Sequence, residues 1–119
     1  MKRPLTVTIA GVLFIIVGLG SLFKALRPLL GGGPAMITGH EFMDSGIVFV
    51  SAVVALISGI FVMRGANWAR WLCLLWMAFH VVVSIFHNTT ELLVHLLWML
   101  VLIVFLTFGK AGIYFRAKA

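Results

Sequence analysis

Residues 68–86 read WARWLCLLWMAFHVVVSIF, nineteen positions in which Arg70 is the only Lys, Arg, Asp or Glu. A helix needs about 20 mainly apolar residues to cross the hydrocarbon core of a bilayer, and this run has that length and character. Three further stretches match it. One runs from about Leu5 to Phe23 and stops at Lys24; another runs from about Ser45 to Met63 and stops at Arg64; the last covers about Leu92 to Phe108, just before Lys110. None shows the strict alternation of a barrel strand. The predicted class is therefore all-α: a transmembrane four-helix bundle over residues 1–119, with spans at about 5–23, 45–63, 68–86 and 92–108.

Composition leads to the same class. Of the 119 residues, 63% are hydrophobic and 10% charged, with a mean hydropathy of +1.20. Soluble domains carry about a quarter charged residues, and one core of this size cannot hide so much apolar surface from water. A soluble globular enzyme is excluded, and so is a disordered chain, which would be poor in apolar residues. Met1-Lys2-Arg3 resembles the basic start of a signal peptide. The apolar run after it is too long, however, and Lys24 and Arg27 stand where a cleavage site should be. The first segment reads as a retained span.

Charge sets the predicted orientation, because short cytoplasmic loops are enriched in Lys and Arg. Lys2, Arg3, Arg64, Arg70, Lys110, Arg116 and Lys118 fall on one side, against Lys24 and Arg27 on the other. The three acids, Glu41, Asp44 and Glu91, share that second side. Both termini are expected in the cytoplasm of a bacterial inner membrane. The cations are scattered over three segments and lack the clustered stripe of a nucleic-acid surface, so no nucleic-acid partner is expected.

The one long connection, 24–44, holds Gly31-Gly32-Gly33-Pro34 followed by an apolar run and His40-Glu41. It reads as an interfacial segment on the outer face, either a plain connector or a lid, in which Pro34 can start a short helical turn. The other loops are tight. Arg64 to Asn67 links spans two and three, with Trp68 and Trp71 as interfacial anchors. Asn88-Thr89-Thr90 links spans three and four, and Asn88 or Thr90 can cap the last helix.

The inward faces carry the chemistry. In span three Cys73, Trp76, His80, Ser84 and His87 follow one another at spacings of 3, 4, 4 and 3, which places them on one helical face. Arg70 extends this stripe loosely. Span two offers Asp44, Ser51, Ala55 and Ser58, and Ser51, Ala55 and Gly59 form overlapping small-xxx-small pairs that allow close helix approach. Span one offers Gly11, Gly18, Ser21 and Ala25; span four offers Glu91, His95 and Trp98. The helix-packing positions are thus Gly11, Gly18, Ser51, Ala55, Gly59 and Ser84. At 1.5 Å per residue His80 lies about 10 Å deeper than His87, and His95 about 6 Å below Glu91.

All four histidines and all three acids fall in the outer half, and three readings follow. His80, His87, Glu91 and His95 can supply metal ligands from two antiparallel helices, with His80 and His95 as a haem pair. No Cys-x-x-Cys-His or His-Glu-x-x-His accompanies them. The second reading is proton or quinone handling by His80 beside Ser84 and Trp76, since ionisable groups inside a membrane mark functional pathways. In the third, the histidines are interhelical packing groups. No catalytic residue is assigned: Cys73 has no acid or histidine near it in the pattern, and enzymatic activity is not the favoured expectation.

Gly65-Ala66-Asn67-Trp68-Ala69-Arg70-Trp71-Leu72, with Trp76, His80, Ser84, His87, His95 and a terminal Tyr114-Phe115-Arg116, resembles a group of small four-span bacterial membrane proteins. The resemblance covers roughly residues 45–116; size and span count are also loosely similar to DoxX-type proteins. It implies a four-helix membrane fold and says nothing of mechanism. The functional expectation is a non-catalytic accessory or structural subunit of a larger membrane assembly, such as one for electron transfer. Its partners are lipid and other membrane subunits or copies of itself. The alternative is a haem-, metal- or quinone-binding redox protein built on the outer histidines; the cofactor, haem or a divalent transition metal, is left open.

Overall fold

A computed structural model describes residues 2–31 and 39–119, and of these the side chains of 28, 29 and 39–43 are left aside. The chain is helical, with no strand among the described residues. Five helices follow one another: α1 (Leu5–Gly31), α2 (Gly39–Met63), α3 (Asn67–Ile85), α4 (Thr89–Thr107) and α5 (Gly109–Ala117). The first four are long and apolar enough to cross a membrane, by length and composition.

The helices outrun the spans read from the sequence. α1 continues past Lys24 to Gly31, and α2 starts at Gly39, so most of the expected 24–44 connection is helical. Charge ends the part of a helix that suits hydrocarbon; it does not end the backbone hydrogen bonding. Twenty-seven helical residues span about 40 Å, beyond the roughly 30 Å core of a bilayer. The Gly32-Gly33-Pro34 segment, and the side chains of His40 and Glu41, lie outside the described residues.

α1 lies along α2, α2 touches α3, α3 touches α4, and α4 reaches α1. The α1–α2 seam is closed by small residues. A Cβ at Gly59 would stand 2.8 Å from the Gly11 carbonyl oxygen, and one at Gly18 would stand 3.1 Å from that of Ala52. Ala52 and Ala55 are fully buried. Hydrophobic exclusion supplies no force between helices in lipid, so this close van der Waals contact and interhelical hydrogen bonds must hold the seam. The α2–α3 contact is polar: the Trp76 indole N–H donates to both the carbonyl oxygen and the hydroxyl of Ser51, each at 3.0 Å. Outward positions such as Leu75, Phe86 and Leu97 are exposed and apolar.

Each turn has an identifiable cause. After α2 the Gly65 N–H bonds to the Val62 carbonyl and the Ala66 N–H to that of Phe61, both at 3.0 Å. This is a Schellman closure with Gly65 in the left-handed region at φ +83°. α4 starts where Asn88 Oδ1 accepts the Glu91 N–H at 2.9 Å, one of the two caps the sequence offers, and Glu91 in the first turn suits the helix dipole.

The nine residues of α5 lie beyond the last span read from the sequence. They form a helix after a bend at Gly109, φ +59°. Ala111, Tyr114 and Phe115 are buried in the same core as Val7, Val62 and Cys73. Tyr114 donates its hydroxyl to the Met63 carbonyl and Lys118 its ammonium to that of Arg64, both at 3.4 Å. Arg3 also reaches the Met63 carbonyl, at 3.1 Å. The start of α1, the end of α2 and α5 therefore meet at one end, which carries most of the cations.

Candidate functional site

The polar stripe of α3 is held inward, and its members meet different partners. Cys73 is buried, as is Ser58 of α2; Ser84 is 2% exposed, while Trp76 and His80 are half-buried. His87, the outermost member, is exposed because α3 ends at Ile85 and the chain turns away from the core. Its Nδ1–H bonds the Val83 carbonyl at the end of α3, at 3.2 Å. Glu91 is exposed on the first turn of α4.

His80 and His95 do converge. Their ring centroids lie 5.8 Å apart, and the His80 ring packs 4.0 Å from that of Trp76. Trp76 in turn meets Phe14 of α1 edge-on at 5.2 Å. The two histidines line a cleft of about 240 Å³ between α1, α3 and α4, together with Phe14, Trp76, Val94 and Trp98. The helix period is responsible: His95 shares the Trp98 face of α4, and that face lies over the Ser84 end of α3.

Hydrogen-bond counting assigns the protons. A carbonyl only accepts, so the 3.0 Å contact between His80 Nδ1 and the Trp76 carbonyl requires an Nδ1–H. Ser84 donates its hydroxyl to the His80 carbonyl at 2.7 Å. That uses its one proton, so its 2.6 Å contact with His95 Nδ1 makes His95 the donor. Both rings thus carry hydrogen on Nδ1 and have Nε2 left for other partners. A neutral ring offers Nε2 as an acceptor or metal ligand; a protonated ring offers it as a donor. Holding Nδ1–H on a backbone carbonyl or hydroxyl is the way proteins orient a ligating imidazole.

Among the described residues no three His, Cys, Asp or Glu side chains come together so as to hold a metal ion. The four groups singled out in the sequence therefore divide into a converged pair, His80 and His95, and two exposed positions, His87 and Glu91. The packing residues divide as well. Gly11, Gly18, Ala55 and Gly59 are buried, the three glycines in the α1–α2 seam; Ser51 serves the Trp76 indole; Ser84 serves His95. The sequence reading did not assign Phe14 to the site. The signal was present, since Phe14 falls three residues after Gly11 and four before Gly18, on the same inward stripe.

A larger, almost wholly apolar groove of about 600 Å³ opens between α2 and α3 along Ile47, Val50, Leu72 and Phe79, with Ser51 and Trp76 also in its lining. No ionisable group lines it. No protein-family model, curated protein or solved structure matches the chain.

Proposed function

We propose that this chain is a small polytopic protein of the bacterial inner membrane that binds a lipophilic hydroquinone-type ligand in the His80–His95 cleft. Its four spans form one bundle with both termini in the cytoplasm, as the seven-to-two division of Lys and Arg between the two sides supports. The observation that carries the ligand reading is the pair of imidazoles with Nδ1–H already engaged, in a cleft walled by Phe14, Trp76 and Trp98. An imidazole with hydrogen on Nδ1 alone accepts at Nε2 from a hydroxyl of a reduced ring, and aromatic walls favour a planar one. The cleft is smaller than the roughly 300–1,000 Å³ of drug-sized sites, which suits one ring with its tail trailing into lipid and disfavours a macrocycle.

The test is a tryptophan-fluorescence titration of detergent-purified protein with a short-chain benzoquinone and its hydroquinone, since Trp76 and Trp98 both line the cleft. Saturable quenching is expected, tighter for the hydroquinone at neutral pH. His80→Ala and His95→Ala should each weaken it about 2- to 12-fold, one neutral hydrogen bond of about 0.5–1.5 kcal/mol. Absence of saturable quenching overturns the reading. So does an absorbance spectrum or metal analysis showing haem or stoichiometric metal that the double variant loses, which instead supports a haem or metal centre.

A second reading, the accessory subunit of a larger membrane assembly, is favoured by α4. In that helix only Leu102 and Leu106 are buried, and Leu93, Leu96, Leu97 and Leu100 are exposed. Cross-linking from cysteines placed at Leu93 and Leu97 separates the possibilities: defined products with another membrane protein support a subunit role, and unlinked chain supports lipid contact.

A further inference from the structure

At the basic end, a groove of about 610 Å³ opens between the start of α1 and the α4–α5 bend. Its rim holds Lys2, Arg3 and Lys110, and its floor is made by Leu5, Val104 and Phe108. The floor side chains are largely exposed. No acid lines the groove, and Asp44 in the second turn of α2 and Glu91 in the first turn of α4 lie away from this end. Arg3 is fixed by bonds to Thr8 Oγ1 at 2.9 Å and to the Met63 carbonyl at 3.1 Å. Those bonds orient the guanidinium and leave its charge uncompensated.

We propose that this groove is a binding site for an anionic phospholipid, the phosphate held by Lys2, Arg3 and Lys110 and an acyl chain laid over Leu5, Val104 and Phe108. Three features favour an amphiphile over a free anion. Cations and apolar side chains share one cavity, the apolar part lies on the span side of the cations, and α1 starts and α4 ends at this level, where headgroups sit. Basic pockets between spans on the cytoplasmic side have this chemistry. The α5 bend completes the site, since Gly109 lets Lys110 swing across the end of α4 toward the start of α1.

The inference rests on the chain spanning a bilayer, which resistance of the reconstituted protein to alkaline extraction tests separately. The proposal itself is tested by native mass spectrometry of the full chain from micelles with equal phosphatidylglycerol and phosphatidylcholine. The wild type is expected to retain phosphatidylglycerol preferentially. K2Q/K110Q should lower that preference at least tenfold, at about fivefold per cation. Lys2→Arg with Lys110→Arg should keep it, as should K24Q/R27Q at the other end. Phe108→Ser, which alters an exposed side chain and no charge, should weaken retention of either lipid. Equal retention of the two lipids by the wild type, or a preference unchanged in K2Q/K110Q, overturns the proposal. Displacement by inorganic phosphate together with an unaffected Phe108→Ser variant assigns a free-anion site instead and overturns the lipid.

Discussion

Replacing Gly59 with alanine probes the contact on which the α1–α2 seam depends. The new Cβ would lie 2.8 Å from the Gly11 carbonyl oxygen and 3.0 Å from Ile15 Cγ1 and Phe14 Cβ. Ordinary contact begins near 3.4 Å, so the helices must part by about 0.6 Å, and a gap of that size forfeits a quarter or more of each dispersion contact across the seam. Backbone oxygen cannot rotate aside as a side-chain tip can. Overpacking of this kind costs about 1–3 kcal/mol, offset by about 1 kcal/mol of helix propensity gained on losing a glycine. The expected net loss is up to about 2 kcal/mol. Gly20→Ala is the matched control, because its Cβ meets nothing within 4 Å; there only the propensity gain applies. Unfolding in mixed micelles, followed by circular dichroism as the denaturing detergent fraction rises, should place Gly59→Ala below wild type and Gly20→Ala level with it or above. Equal midpoints for the two variants would refute a close-packed seam.

Three other outcomes are expected. Trp76→Phe keeps an aromatic ring but removes the N–H that serves Ser51, together with part of the indole's volume; the same unfolding assay should register a loss of at least about 0.6 kcal/mol, the typical worth of one interhelical hydrogen bond in a membrane. Ser84→Ala takes away the acceptor of the His95 Nδ1–H and frees the ring, so hydroquinone affinity should fall several-fold in the fluorescence titration while stability changes little. Gly65→Ala should cost more than Gly109→Ala. Both positions have positive φ, with a strain of about 1–2 kcal/mol for an L-residue, but only at Gly65 does a Cβ also strike Tyr114 Oη, at 2.9 Å. Proteolysis of the α5 tail should accelerate in Gly65→Ala.

The amino-acid sequence by itself determined the helical class, the four apolar segments and the segregation of charge, because each follows from local quantities: run length, hydropathy and residue spacing. The 3-4-4-3 stripe of α3 likewise fixed a face, and Cys73 and Ser84 on that face are buried. Spacing does not fix what stands opposite, nor where the helix stops. Tertiary packing decided that His80 meets His95 while His87, on the same stripe, is left exposed past the end of α3. It also decided that α1 runs on to Gly31, since the charges at Lys24 and Arg27 limit burial in hydrocarbon and leave helical hydrogen bonding intact. α5 was the least legible element. Nine residues with five apolar groups and two cations fall beyond the last span by hydropathy, and an isolated helix of that length is marginal in water. It forms here because Tyr114 and Phe115 find the core beneath them, a stabilisation that exists only once the other helices are assembled.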